Sequence, residues 1–138
     1  PVYRFTIRNA EFLPASSGMD AIMPQLKSLV ERGYSIAIYP EGTRSMDCSI
    51  GRFRQGAFHV AQTLGIDILP VVIYGTGKAL KKRGRLLRKW PVHMEIDRRI
   101  TPEEMMSMGE TTRQQASQMR KYYRKRYTEI ADRIEQDV

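Results

Sequence analysis

The sequence predicts an α/β fold, in which a mostly parallel sheet is flanked by helices and a basic helix lies at the C-terminal end. Short apolar, β-branched runs alternate with segments of helical apolar spacing, in the order β-α-β-α-β-loop-β-α. Hydrophobic residues make up 41% of the 138 residues, which is enough to build a core. No apolar run approaches the roughly 20 residues that a membrane-spanning helix needs.

The first part of the chain predicts two strands with a helix between them. Residues 2–7 are β-branched and aromatic, which indicates a strand, and residues 9–17 form a polar loop. The next segment has its apolar residues on one helical face and ends at Gly33. Those apolar residues are Ile22, Leu26, Leu29 and Val30. Residues 35–39 are almost wholly apolar, which is typical of a strand buried on both faces.

The middle of the chain continues the alternation. Residues 53–64 have helical spacing, and Gly65 provides a stop. Residues 68–74 predict a second buried strand, and residues 92–96 predict a strand with alternating burial.

The C-terminal helical region covers residues 102–136. Thr101 suits an N-cap, Glu104 is placed for a capping box, and Gly109 is expected to divide the region into a short and a long helix. The long helix is basic in its middle and carries an apolar seam that we expect to pack on the sheet. The seam consists of Tyr122, Tyr123, Tyr127, Ile130 and Ile134.

Composition limits the classes of function. The chain holds 23 Lys and Arg against 15 Asp and Glu, a net charge of +8, which favours anionic partners such as lipid headgroups, nucleic acid or phosphorylated small molecules. The single cysteine, Cys48, excludes an internal disulfide framework and a Cys-based zinc site. We expect one domain over residues 1–138, with no cofactor and no metal.

The turn after the second predicted strand carries candidate binding chemistry. Gly42 allows a sharp turn or a close approach to a ligand, Thr43 offers a hydroxyl, and Arg44 offers a planar fork for phosphate or carboxylate. Glu41 could fix Arg44 by pairing, or it could accept a hydrogen bond from a substrate hydroxyl. An ordinary surface turn is the competing interpretation.

Four blocks of the sequence resemble the glycerophosphate and lysophosphatidate acyltransferase family. Residues 39–45, Tyr-Pro-Glu-Gly-Thr-Arg-Ser, resemble that family's Phe-Pro-Glu-Gly-Thr-Arg-Ser block. Residues 53–58, Phe-Arg-Gln-Gly-Ala-Phe, are similar to its Phe-Lys-x-Gly-Ala-Phe helix start. Residues 68–72 and 1–4 resemble its apolar Pro-Val block and the end of its second block.

The resemblance implies transfer of an acyl group from acyl-CoA or acyl carrier protein to a hydroxyl of a glycerol phosphate or lysophospholipid, at the cytoplasmic face of a membrane. In that family a His-x-x-x-x-Asp pair moves the proton, and the Glu-Gly-Thr-Arg block and an arginine of the second block hold the acceptor's phosphate. Carried over, the acceptor-binding residues are Arg4, Glu41, Gly42, Thr43, Arg44 and, more weakly, Arg54.

Neither histidine has the spacing of that catalytic pair. Leu64 follows His59 by five residues, Arg98 follows His93 by five, and Asp97 comes one residue too early. His59 is expected on a helix face and His93 on a strand. We therefore expect the catalytic block upstream of this chain, and no acyl transfer by the 138 residues alone.

A basic loop over residues 78–90 is the expected contact with an anionic membrane surface. Cationic side chains attract an anionic leaflet, and leucine and tryptophan can enter the interface. The proposed contact residues are Lys81, Lys82, Arg83, Arg85, Leu86, Leu87, Arg88, Lys89 and Trp90. A solvated hairpin and a non-catalytic module that binds anionic lipid or nucleic acid are the alternatives, although no nucleic-acid motif accompanies the loop and no nucleic acid is expected.

Overall fold

The structure, a computed structural model, describes residues 18–84 and 86–136. The predicted strand 2–7, the loop 9–17 and the candidate residues Arg4 and Arg85 lie outside these ranges. The chain divides into two compact units, residues 1–37 and residues 38–138. Across the described ranges, every helix is too short or too polar to cross a membrane.

The first unit contributes helix α1, Met19–Glu31. Of its predicted apolar stripe, Ile22 and Leu26 are buried, and Leu29 and Val30 are half-buried. The helix stops at the predicted glycine: Gly33 has φ +84°, a conformation that other residues rarely adopt.

The second unit contains the remaining helices and strands. In chain order they are α2 Gly56–Leu64, β1 Val71–Tyr74, α3 Thr76–Ala79, β2 His93–Ile96, α4 Pro102–Ser107 and α5 Thr112–Gln136.

The sheet differs from the expected parallel arrangement. Within the described residues, β1 pairs with β2 as an antiparallel two-stranded sheet, with Val71 opposite Ile96 and Tyr74 opposite His93. The connection over residues 75–92 is long enough for the crossover that a parallel pair requires. Its helix α3 has only four residues, however, too few to cover the sheet, and the chain returns along the neighbouring edge.

The predicted strand over residues 68–74 is shorter and less buried than expected. Its regular part is β1, in which Val72 and Tyr74 are buried and Val71 and Ile73 are half-buried. Pro70 has no N–H to donate, so the ladder is interrupted there and Ile68 forms an isolated bridge with Ile100.

The predicted strand over residues 35–39 does not form in the structure. Ile38 is 38% exposed and Tyr39 is 79% exposed, so the segment is not buried on both faces. An extended segment becomes a strand only when a neighbour accepts and donates its backbone hydrogen bonds, and no described strand pairs with this one.

Helix α2 begins three residues later than predicted. The N–H of Arg54 donates to the carbonyl of Pro40 at 2.7 Å, so the backbone at 53–55 is tied to the preceding turn instead of continuing the helix. Phe53 is nevertheless buried, with its ring 5.2 Å from that of Tyr123. Gly65 ends the helix with φ +62°, as predicted.

The C-terminal helices follow the sequence closely. Thr101 and Glu104 form the predicted capping box at the start of α4, and the chain breaks near Gly109 before α5. Thr111 and Gln114 form a second reciprocal cap, with N–H to oxygen distances of 3.1 and 3.2 Å.

Two apolar clusters hold the second unit together. One joins α2, α4 and α5 through Phe53, Phe58, Ala61, Ile100, Met105, Ala116 and Met119. The other packs α5 on β1 through Val72, Tyr74, Ile130 and Ile134, as the apolar seam predicted. Each large side chain buried in this way contributes about 1.5–3 kcal/mol.

A polar network fixes β2 against α5. Arg126 donates to Glu95 at 2.9 Å and to Asp97 at 3.2 Å, and the Tyr122 hydroxyl donates to Asp97 at 2.6 Å. Burial acts to raise the pKa of Asp97, but the bonds from Tyr122 and Arg126 outweigh it and hold that pKa below its usual range. Burial and the bond to Asp97 raise the pKa of Tyr122 to about 12.

Candidate functional site

The site is built on a tight turn at residues 39–42. The N–H of Gly42 donates to the carbonyl of Tyr39 at 3.0 Å, and Gly42 has φ +65°. The Arg54 side chain passes directly over this glycine: a Cβ built at position 42 would lie only 2.9 Å from Arg54 Nε. Because Gly42 has no side chain, it can adopt the left-handed conformation of the turn, and it leaves space for the Arg54 side chain.

Glu41 anchors the turn to the following loop. Its Oε2 accepts a hydrogen bond from the N–H of Gly51 at 2.7 Å, and a Cβ at position 51 would meet the same oxygen at 2.7 Å. Within the described residues Glu41 makes no ion pair with Arg44, so the pairing considered from the sequence is absent. The carboxylate acts here as a local hydrogen-bond acceptor.

An open groove of about 590 Å³ lies beside the turn. Its lining consists of Glu41, Thr43, Ser45, Gly51, Arg52, Phe53, Arg54 and Gln55. Arg52 and Arg54 are both exposed, and neither forms an ion pair with any carboxylate in residues 18–84 and 86–136. Two guanidinium groups and a hydroxyl facing one groove can hold an anion such as a phosphate.

Arg44 is absent from the groove lining. Its Nη2 donates to the backbone carbonyl of Lys82 at 3.1 Å, and Lys82 Nζ donates to Thr43 Oγ1 at 3.0 Å. The structure thus brings together two segments that sequence reasoning treated separately, the turn and the basic loop.

Of the predicted acceptor residues, Glu41, Thr43 and Arg54 line the groove, and Gly42 lies beneath Arg54. Sequence reasoning missed Arg52 in this role and assigned Lys82 only to the membrane surface. The alternation of Arg52, Phe53 and Arg54 was the available signal for Arg52, since an extended segment that buries its middle residue turns both neighbours outward. Nothing local in the sequence indicated Lys82.

The basic loop is closed at its base and exposes two leucines. The N–H of Arg88 donates to the carbonyl of Ala79 at 2.8 Å, while Leu86 and Leu87 are 82% and 78% exposed. Lys81, Arg83, Arg88 and Lys89 are exposed around them. Trp90, also predicted to contact the membrane, is half-buried, with Lys78 Nζ 4.7 Å from the centre of its ring.

The histidines occupy structural positions. His59 lies within α2, as predicted, and His93 is the first residue of β2, opposite Tyr74. In the described part of the chain, no three His, Cys, Asp or Glu side chains are grouped to hold a metal ion.

The comparison with protein families covers the turn and the groove. Residues 1–74 match the family model described as Acyltransferase, which is more than half of the chain. The chain belongs to the acyltransferase family. The resemblance drawn from the four sequence blocks is therefore confirmed, while the basic loop and α5 lie beyond the matched region.

Curated relatives are similar over shorter stretches. A 1-acyl-sn-glycerol-3-phosphate acyltransferase of Chlamydomonas reinhardtii is 31% identical over 83 residues, 59% of this chain and 25% of that protein. The chloroplastic LPAT1 of Arabidopsis thaliana, a 1-acyl-sn-glycerol-3-phosphate acyltransferase, is 44% identical over 52 residues, 38% of this chain and 15% of that protein. The matched part of the chain thus spans a quarter or less of either relative.

A solved structure shares the fold. The 1-acyl-sn-glycerophosphate acyltransferase PlsC of Thermotoga maritima superposes with a TM-score of 0.59 over 85% of this chain and 44% of that one, at 24% identity. The α/β prediction is supported by this likeness, although the parallel sheet is not seen in the described residues.

Proposed function

We propose that this chain forms the acceptor-binding part of an enzyme that transfers a fatty acyl group from a thioester to a hydroxyl of 1-acylglycerol 3-phosphate or a closely related glycerol phosphate. The observation that carries the proposal is the groove beside the family's Glu-Gly-Thr-Arg turn, where Thr43, Arg52 and Arg54 face one open space. The names of the relatives support a lysophosphatidate acceptor.

In this proposal the acceptor's phosphate lies in the groove. Arg52 and Arg54 donate charge-assisted hydrogen bonds to its oxygens, and the Thr43 hydroxyl donates a further bond. Fixing the phosphate places the free hydroxyl of the glycerol at a set distance from the turn, which reduces the entropy lost when it meets the thioester. Glu41 maintains the loop around the groove through its bond to Gly51.

The reaction itself forms an ester bond and breaks the thioester bond. The acceptor's oxygen attacks the thioester carbonyl, the thiol leaves, and the proton of the hydroxyl passes through a general base to the thiol. The family resembled by this sequence uses a His-x-x-x-x-Asp pair as that base, and neither His59 nor His93 has that spacing. We infer that these 138 residues bind the acceptor without catalysing the transfer.

The basic loop is proposed to touch the anionic bilayer in which such an acceptor resides. Leu86 and Leu87 are exposed apolar residues, and the exposed cations beside them in the sequence complement anionic headgroups. Residues 76–94 contain no acidic side chain, so nothing in this segment repels such a surface.

Calorimetric titration of the 138-residue chain with glycerol 3-phosphate tests the binding site. Arg54→Ala and Arg52→Ala should each weaken binding about tenfold or more, because each removes a charge-assisted hydrogen bond. Arg124→Ala, an exposed arginine on α5, is the matched control and should leave the affinity unchanged. Equal affinities for all three variants would refute the site.

A thioester-release assay with an acyl-CoA and lysophosphatidate tests the inference that the 138 residues bind the acceptor without catalysing the transfer. We expect no turnover above background from the 138 residues. Turnover would contradict that inference while leaving the acceptor site intact. Binding to duplex DNA in preference to glycerol 3-phosphate would instead favour a nucleic-acid module.

A further inference from the structure

The Lys82 side chain is less exposed than those of its basic neighbours and contacts the turn. Lys81 and Arg83 are exposed, whereas Lys82 is half-buried and its Nζ donates to Thr43 Oγ1 at 3.0 Å. Its backbone carbonyl accepts the Arg44 guanidinium at 3.1 Å. Two hydrogen bonds therefore join the loop to the turn, across 38 and 39 residues of sequence.

The charges at this junction are unbalanced. Arg44 and Lys82 meet at the same short segment, and neither forms an ion pair within the described ranges. The nearby carboxylate of Glu41 bonds to the Gly51 amide instead. Positive charge without a paired carboxylate at this junction favours the approach of an anion.

The hydrogen-bonding capacity of the Thr43 hydroxyl also suits an anion. A threonine hydroxyl has one donor and two acceptor positions, and Lys82 uses one of the acceptor positions. The hydroxyl hydrogen makes only a long contact of 3.5 Å to the Arg44 carbonyl, so a better acceptor could take it. A hydroxyl that accepts from an ammonium is polarised and becomes a stronger donor.

We propose that Lys82 is a positioning residue of the acceptor site, whose ammonium holds the Thr43 hydroxyl and attracts the acceptor's phosphate. This inference rests on the proposed function and adds to it a residue that lies outside the family match at residues 1–74. Lysine suits the role because it binds phosphate as a compact point charge on a flexible stem.

Titration with glycerol 3-phosphate distinguishes a specific effect of Lys82 from the general effect of the loop's positive charge. Lys82→Met should weaken binding about tenfold to a hundredfold, the effect of a lost hydrogen bond to a charged group. Lys81→Met removes the same charge from the adjacent exposed position and should change the affinity less than about twofold. Lys82→Arg, which keeps the charge, should recover most of the loss, and Lys82→Gln, which keeps a donor for Thr43 without the charge, should not.

The pH dependence of the affinity distinguishes a charge effect of Lys82 on the phosphate from a purely structural role. A phosphate monoester gains its second negative charge near pH 6, so the wild-type chain should bind glycerol 3-phosphate more tightly as pH rises from about 5 to 7.5. This gain should shrink in Lys82→Met and remain in Lys81→Met.

The outcomes distinguish the two proposals. If the wild-type chain binds neither glycerol 3-phosphate nor lysophosphatidate, the proposed function fails. If it binds and Lys82→Met matches Lys81→Met in both affinity and pH dependence, the function stands and the role of Lys82 is overturned.

Discussion

Replacing Gly42 by alanine tests how the turn controls the groove. Gly42 has φ +65°, and a Cβ there would lie 2.9 Å from Arg54 Nε and 3.2 Å from Arg54 Cδ. The substitution therefore does two things: it strains the backbone, and it forces the Arg54 side chain away from its place above the turn.

The two effects have different sizes and different readouts. A left-handed conformation costs a residue with a Cβ about 1–2 kcal/mol, which lowers the free energy of unfolding. Displacing the guanidinium removes a charge-assisted hydrogen bond to the bound phosphate, worth about 1.5–3 kcal/mol. The affinity for glycerol 3-phosphate should therefore fall about tenfold to 150-fold.

Gly65 provides the control. It has φ +62°, close to that of Gly42, but a Cβ at Gly65 would meet nothing within 4 Å. Gly65→Ala should lower the free energy of unfolding in urea by a similar amount and leave the affinity for glycerol 3-phosphate unchanged.

A double-mutant cycle identifies the path of the effect. If Gly42→Ala acts through the displaced guanidinium, it should cost little further affinity in a chain that already carries Arg54→Ala. An equal loss in both backgrounds, or no loss in the single variant, would refute the reasoning.

Three further predictions concern other parts of the chain. Because Arg44 does not line the groove and bonds instead to the Lys82 carbonyl, Arg44→Ala should weaken glycerol 3-phosphate binding less than Arg54→Ala does, and an equal or larger loss would place Arg44 in contact with the phosphate. Because the pKa of Asp97 is lowered in the folded state, its contribution to stability is complete above the unfolded pKa near 3.9 and is lost as pH falls through the lower folded value. Urea unfolding should therefore show Asp97→Asn destabilised by about 1–3 kcal/mol at pH 7, with a shallower loss of stability below pH 4 than the wild type; equal slopes would contradict this assignment. Replacing Leu86 and Leu87 by serine should reduce sedimentation with anionic vesicles about tenfold or more, whereas Met106→Ser, at an apolar position of α4 that is 66% exposed, should not; equal losses would exclude these two leucines as the contact.

The sequence predicted the elements whose signals are local. A capping box needs only Thr101 and Glu104 three residues apart, and a helix stop needs only a glycine such as Gly33 or Gly65. The four motif blocks likewise identified the family, since they depend on residue types at short spacing.

Strand pairing was predicted less well. An apolar run shows that a segment can be extended, but it does not specify its neighbour or its direction. The apolar runs therefore did not predict that β1 and β2 are antiparallel, or that residues 35–39 lack a described partner strand.

The amino-acid sequence alone determined the family, the presence of a turn after Tyr39, and the glycine stops and capping box of the helices, because each depends on residues that are close together in the chain. Tertiary structure alone decided that Arg52 and Arg54 share the groove with Thr43, that Arg44 does not line it, and that Lys82 reaches Thr43. Such contacts depend on how the chain returns in space after 38 or more residues, which is set by packing in the core and leaves no local pattern in the sequence.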